Sequence, residues 1–454
     1  MDSSERSLDV DRVDRENEKG PGGKVMKTDS RIPIMMIAVF VIAIIVAACT
    51  DQKSIEGVRE VKEWRGDISI SLEPDEYGKE MERIINGIDQ WYAHKERKEI
   101  DIDQLRNTYV SMGESAANLK ELNWVLLKLF AELENGHSQV FTGVSQYGVP
   151  ILADIMQGEW VVIWVGGQEQ LDQKIEKGWR IKEIDHLPVQ EWLEERITYI
   201  SASTNQGLWQ EGSGWIFRRH GDEPQTRQYL FLCPSGKRYD MPLSLTIPRD
   251  QMEFRLLPMV ETEEWGEYGY IAVNTMMNGV VEAFDSALDK MQDKEGIILD
   301  LRNNGGGNSL NGDKIFRRLI QEETAIWQGR SAKPYDDVNY SGKIVVLTGP
   351  RTHSAAESFA FDLHDSGRVL TMGEATKGDS GGGPRFFRTD GGIVFRIPTR
   401  GVDKSASGLP MEGAGLEPHI TIEQTYEDFL ADVDTAVQAG IAWMKSNATI
   451  EMNK

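Results

Sequence analysis

Two stretches of this chain pair a reactive side chain with backbone donors. In Lys343-Ile344-Val345-Val346-Leu347-Thr348-Gly349-Pro350-Arg351-Thr352-His353-Ser354-Ala355-Ala356-Glu357, an apolar strand runs out into a serine at the start of a helical pattern. A hydroxyl there sits among unsatisfied N–H groups, where the helix dipole favours developing negative charge. Upstream, Ile297-Ile298-Leu299-Asp300-Leu301 leads through Arg302-Asn303-Asn304 into Gly305-Gly306-Gly307. Glycines let a reacting group approach the backbone unobstructed. A serine nucleophile beside two amides is what acyl transfer needs, the amides usually supplying its dominant stabilisation. Taken alone, Ser354 also reads as an ordinary N-cap and the triple glycine as a tight turn.

The elements that must position these residues follow from periodicity. From Tyr268 onward strand and helix alternate, which predicts an α/β layered core with parallel strands. Strands are read at 270–273, 296–301, 325–328, 343–348, 369–372 and 393–397, and helices at 280–292, 312–321, 354–366 and 426–445. Residues 148–247 carry short β runs instead, including Gly178-Trp179-Arg180-Ile181-Lys182-Glu183-Ile184-Asp185-His186-Leu187-Pro188-Val189. That stretch resembles the strand–turn–strand of a PDZ domain, a peptide-binding module; a small β module without a peptide groove is the other reading. Before it, helical spacing covers 75–95 and 101–134 and stops at Asn135-Gly136, with His137-Ser138 directly after.

The front of the chain bears on location. Residues 1–31 are polar and aperiodic, and 32–48 are apolar and uncharged, ending Val46-Ala47-Ala48 before Cys49. The run is shorter than the roughly 20 residues of a typical membrane-spanning helix. Small residues before a cysteine resemble the bacterial lipoprotein signal, in which Cys49 is lipidated; an uncleaved signal anchor is the alternative. Met26, with Lys27 and Arg31, would give a conventional start, leaving residues 1–25 as a misassigned start or a cytoplasmic tail. Either reading predicts an extracytoplasmic, membrane-anchored bacterial protein. Cys233 is then the remaining thiol, so neither a disulfide framework nor a Cys/His zinc pattern is expected. A formal net charge of −23 without a basic stripe argues against nucleic acid as partner.

Four motifs in order now resemble a known family, the C-terminal processing (tail-specific) serine peptidases with their tricorn-protease-core branch. They are Asp300–Gly307, Thr352-His353-Ser354-Ala355-Ala356-Glu357, Gly373-Glu374-Ala375-Thr376-Lys377-Gly378 and Glu412-Gly413-Ala414-Gly415-Leu416-Glu417-Pro418. The resemblance implies a crotonase/ClpP-like layered core with an N-terminal helical region and a PDZ-like β module. It implies peptide-bond hydrolysis by Ser354, with Ala355 and Gly306 or Gly307 donating to the oxyanion, and no metal or cofactor. Many relatives place a lysine base where this chain has Asp379, and a carboxylate cannot replace a neutral amine. The tricorn branch instead implies His137 as general base and Glu412 as the residue that orients it and stabilises its cationic form. Imidazole suits the task because its ordinary pKa lies near neutrality. That branch has a serine before its histidine, where this chain has Gly136, so a polarising serine does not transfer. Lys377 is read as a solvated lysine, while Glu357 and Asp300 are expected to fix the turn and the sheet end.

The expected organisation is a tail and signal segment (1–48), a tether (49–66), a helical region carrying His137 (67–147), the β module (148–250) and the catalytic core (251–454). Peptides or proteins are the expected substrates, and nothing in the sequence sets the oligomeric state. A ligand-binding protein on the same fold and a crotonase-like acyl-CoA enzyme are the competing functions.

Overall fold

A computed structural model describes residues 55–446, apart from 63–69, 168–170, 172, 222–224, 338, 380–381 and 402–403. Cys49 and the apolar run before it lie outside the described residues. Among those described, no helix is long and apolar enough to cross a membrane.

Strand β1 (Val58–Val61) precedes helices α1 (Tyr77–Trp91), α2 (Ile102–Glu114) and α3 (Leu119–Ala131). The helical pattern expected over 101–134 breaks before α3, where the Asn118 side chain accepts the Glu121 N–H at 3.0 Å and caps a new helix. Met81, Ile84, Ile85 and Ile88 of α1 face Leu122, Leu126 and Leu129 of α3 in one buried cluster, as their helical spacing requires. Strand β2 (Gln139–Phe141) follows immediately.

The next unit is a six-stranded antiparallel sheet of β3 (Ile151–Met156), β4 (Glu159–Val165), β5 (Arg180–Ile184), β6 (Gln225–Leu232) and β7 (Arg238–Leu245), in the order β7-β6-β5-β4-β3, with the short strand Leu187–Pro188 pairing to β5. Helices α4 (Val189–Ile197) and α5 (Asn205–Ile216) lie between β5 and β6 in the chain. Trp192, Leu193 and Ile216 from these helices join Tyr229 and Phe231 of β6 in a common core.

The third unit runs β8 (Val260–Trp265), β9 (Tyr268–Val273), α6 (Val280–Asp289), β10 (Gly296–Asp300), α7 (Ser309–Leu319), β11 (Lys343–Thr348), α8 (Ala355–Asp365) and β12 (Leu370–Gly373). After β13 (Pro384–Thr389) and β14 (Val394–Pro398), β15 (Ile420–Thr421) and α9 (Thr435–Lys445) complete it. The main sheet is ordered β8-β9-β10-β11-β12-β15; β8 pairs antiparallel with β9 and every other pairing is parallel. Both faces of β10 and β11 are covered. Ile297, Leu299, Ile344 and Val346 pack with Phe284, Phe316 and Phe359 of α6, α7 and α8. Ile298, Val345 and Leu347 pack with Ala436, Val437 and Met444 of α9. Continuous apolar runs in the sequence are what such doubly covered parallel strands require.

Three expectations change. The run at 393–397 is not a core strand: β14 pairs antiparallel with β13 and β2, and β13 takes up β1, giving a separate sheet β1-β13-β14-β2. Its rings interlock with the helical region, Trp91 stacking on Phe387 at 4.4 Å and Phe130 meeting Phe395 edge-on at 6.0 Å. Phe387, Ile393, Phe395 and Ile397, from the stretch expected in the catalytic core, thus complete the core of α1–α3. The run at 325–328 also leaves the main sheet; residues 324–326 pair only with 330–332, so a local hairpin satisfies their backbone groups. Finally, the helix expected over 426–445 is two, because the Asp434 side chain accepts the Val437 N–H at 3.0 Å and starts α9 afresh.

Candidate active site

Ser354 lies past the carboxyl end of β11 and directly before α8, at the edge of a parallel sheet where ligands commonly bind. It holds φ 57° and ψ −120°, a left-handed conformation that non-glycine residues adopt only when their surroundings impose it. Those surroundings are explicit. Glu357, fully buried, accepts the Ser354 N–H at 3.1 Å, the Thr376 hydroxyl at 2.7 Å, and the Gly378 and Asp379 N–H groups at 2.6 and 3.0 Å. Burial, reinforced by the neighbouring Asp379 charge, pushes its carboxyl up to about 8. Thr352 ties the same turn to the sheet by donating to the Leu301 carbonyl at 2.9 Å.

His137 reaches this turn from the end of the helical region, 217 positions away, and its Nε2 stands 3.0 Å from Ser354 Oγ. The imidazole is buried, which pushes its pKa down to about 4, against an upward pull from Asp379. Asn135 sets the turn that presents it: its Oδ1 accepts the His137 N–H at 2.9 Å, and its Nδ2 donates to Glu412 Oε1 at 2.8 Å. Glu412 also receives the Ser203 hydroxyl at 2.6 Å and is fully buried. Its carboxylate therefore grips the His137 turn through Asn135. It does not hydrogen-bond the ring, whose Nδ1 is buried without a partner. The expected direct orientation of the imidazole by Glu412 is corrected accordingly.

Gly136 has its own reason to be glycine. A Cβ there would lie 2.0 Å from Asp379 Oδ2, and Asp379 Oδ1 accepts the Gly136 and Ser203 N–H groups at 3.0 and 3.1 Å. Any side chain at 136 would displace that carboxylate.

The triple glycine is fastened to both neighbours. Asn304 donates through Nδ2 to the Val273 carbonyl at 2.9 Å, and its own carbonyl accepts the His353 N–H at 3.0 Å. Asn304 Oδ1 accepts the Gly306 N–H at 2.9 Å, which removes Gly306 from the candidate oxyanion donors. Gly306 matters by lacking a side chain: at φ +90°, a Cβ would sit 2.7 Å from the His353 carbonyl, 2.9 Å from Ser354 Cβ and 3.1 Å from the Ala355 nitrogen. Among the described hydrogen bonds, none uses the N–H of Ala355 or Gly307. Those two amides remain as candidate donors, the first at the start of α8.

Lys377 is not solvated. It is buried, paired with Glu211 and 3.7 Å from Asp379; those carboxylates outweigh the cost of burial and raise its pKa. A lysine held charged cannot act as base. Asp300 fixes the sheet end as expected, its carboxylate bound by Arg302, which also reaches Asp434 at 2.6 Å. Asn135, Ser203 and Asn304 escaped the sequence reading. Only the Asn135-Gly136 turn signal pointed near the first, and nothing local marks the others.

Comparison with known proteins bears on this constellation. Residues 267–422 match the profile of peptidase family S41. A carboxyl-terminal-processing protease of Picosynechococcus sp. is 32% identical over 157 residues, which is 32% of this chain and 38% of that protein. The tricorn protease of Thermoplasma acidophilum is 26% identical over 179 residues, or 39% of this chain and 16% of that one. The chain thus spans less than half the length of either relative. The crystal structure of mature CPAF superposes with a TM-score of 0.70 at 15% identity, covering 84% of this chain and all of that one, a likeness of fold. On these matches, the stretch from 267 to 422 that carries Gly306, Ser354 and Glu412 is similar to peptidase family S41, and to carboxyl-terminal-processing and tricorn proteases.

Proposed function

We propose that this chain is a serine peptidase that hydrolyses peptide bonds through an acyl-enzyme on Ser354, with His137 as general base. The observation that carries the reading is the 3.0 Å approach of His137 Nε2 to Ser354 Oγ, within proton-transfer reach. As Oγ attacks the peptide carbonyl carbon, its proton passes to Nε2, and the carbonyl oxygen gains charge beside the Ala355 and Gly307 amides. The imidazolium then protonates the leaving amine, and a water molecule repeats the sequence on the acyl ester. Glu412 and Asn135 hold the base in place, and Glu357 holds the nucleophile's turn.

The test is incubation of the folded chain with a peptide library, with mass spectrometry of the products and of Ser354 after treatment with a fluorophosphonate. Internal or C-terminal cleavage and an adduct on Ser354 are expected. Tight peptide binding with neither cleavage nor adduct would favour a binding protein instead.

The pH profile offers a second check. Because burial keeps His137 neutral down to about 4, kcat/KM is expected to hold across pH 5–6 and to reach half its plateau near pH 4, rather than near the ordinary 6.5. The same depression means that the unfolded chain binds more protons than the folded one between those values. Its contribution to stability is therefore full above pH 6.5 and is lost on acidification through that window.

The finer features of the reading are proposals as well. The antiparallel sheet β3–β7 with α4 and α5 supports a PDZ-like module, and the layered parallel sheet supports a crotonase/ClpP-like core. Residues 32–49 support export and lipidation of Cys49, tethering a bacterial extracytoplasmic enzyme. Cys49→Ser is expected to move the protein from the membrane to the soluble fraction in its native host, together with loss of acyl-chain labelling; retention in the membrane would favour the signal anchor.

A further inference from the structure

We propose that Asp379 supplies the negative charge that balances protonated His137, acting beside the His353 ring as a positioning residue, while Glu412 acts on the His137 turn through the Asn135 side chain; this rests on the peptidase reading. Glu412 Oε1 receives Asn135 and Ser203 and lies 3.4 Å from Lys98 Nζ, while Oε2 is buried without a hydrogen-bond partner. Asp379 stands instead beside His353 and Gly136. Oδ1 takes the Gly136 and Ser203 amides, while Oδ2 is buried without a hydrogen-bond partner, 3.7 Å from Lys377 Nζ. Oδ2 lies against the residue preceding His137, as the 2.0 Å clash of a Cβ at Gly136 requires. It is also 3.6 Å from His353 Nε2.

The His353 ring stacks on His137, with centroids 4.6 Å apart and planes at 29°. His137 Nδ1 and His353 Nε2 are both buried without hydrogen-bond partners. Two imidazole nitrogens and one carboxylate oxygen, each buried and without a hydrogen-bond partner, thus lie close together. A buried charge is tolerated only when paired, so the proton that arrives on His137 needs a nearby anion. Arg396 of β14, Lys377 and His94 act on the ring with the opposite sign, and Asp379 is the anion set against them. His353, half-buried and near Lys377, has its pKa held well below the ordinary value by desolvation and by that charge. The proton from Ser354 Oγ therefore stays on His137 until the leaving amine nitrogen takes it as the C–N bond breaks. No other proton donor or acceptor is needed.

The position is the one where many relatives are expected to carry a lysine base. Here the carboxylate remains within the site and serves the histidine.

Histidine side-chain NMR on the full chain, with His137 assigned by comparison with His137→Gln, tests the proposal without relying on turnover. Asp379→Asn is expected to lower the His137 titration midpoint by about one pH unit, a tenfold smaller imidazolium population at fixed pH. It should also lower kcat with little change in KM, and Asp379→Glu should restore part of the rate. Glu412→Gln should leave the midpoint in place, and Lys377→Met, which removes a competing cation, should raise it. An unchanged midpoint in folded Asp379→Asn, or a fall in Glu412→Gln, would overturn the proposal. Should Asp379→Asn not fold, the Lys377→Met and Glu412→Gln midpoints decide, a rise in the first with none in the second supporting it and any other pair overturning it. Midpoints that move as expected in a protein that cleaves no peptide would leave the charge pairing standing and refute the peptidase reading.

Discussion

Alanine at position 354 is expected to lower kcat/KM for peptide hydrolysis by roughly 10⁴–10⁶-fold while leaving the fold intact, as removal of a nucleophile that works as a unit with its base does. Ser354 Oγ contacts His137 and caps the first turn of α8 toward the Glu357 N–H, so truncation removes a cap as well, while the reciprocal bond from the Ser354 N–H to Glu357 remains. The strained φ of 57° remains, imposed by Glu357 and Thr352. His137→Ala should cost nearly as much, and the double variant should be no slower than the worse single variant. Steady-state kinetics on all three, with circular dichroism to verify folding, checks the claim. Losses that multiply, or a Ser354→Ala protein within tenfold of wild type, would show that the two side chains do not act together.

Gly306→Ala should be the most damaging change that touches neither nucleophile nor base. Its methyl would enter a space bounded by the His353 carbonyl, Ser354 Cβ and the Ala355 nitrogen at 2.7, 2.9 and 3.1 Å. Two of those three atoms are backbone and cannot swing aside. The displaced object is the approach path of a carbonyl oxygen to the Ala355 amide, so a 10²–10³-fold loss in kcat is expected, comparable to losing one oxyanion donor. The positive φ adds a destabilisation of about 1 kcal/mol. Gly305→Ala is the comparison, because a Cβ there meets nothing within 4 Å; its rate should stay within tenfold of wild type. Equal losses at 305 and 306 would point to general disturbance of the turn rather than to obstruction of the amide.

The sequence made the local parts of this machine readable and concealed the connections between them. Strands β10 and β11 announce themselves because both their faces are buried, and the serine after β11 stands out because a helix begins there. Which strand pairs with which is a long-range matter, so the run at 393–397 reads as one more core strand although it belongs with α1–α3. Charged side chains mislead in a related way. Lys377 reads as solvated because most lysines are, yet Glu211 and Asp379 bring it inside. Glu412 was placed at the site by family resemblance, but only coordinates reveal that its grip passes through Asn135. Hydrogen bonds between residues 277 positions apart leave no periodic trace.

The four-stranded sheet β1-β13-β14-β2 has a consequence for how the molecule comes into being. The segment bearing the imidazole is anchored by pairing with 394–396, residues that a ribosome adds after the hydroxyl at 354 and well after the imidazole itself. A nascent polypeptide consequently carries both reactive groups before it possesses the scaffold that unites them, and it is expected to stay chemically silent until residues 394–396 have been added. Cutting the gene between β7 and β8 should give two inert fragments that regain hydrolysis only on reassociating.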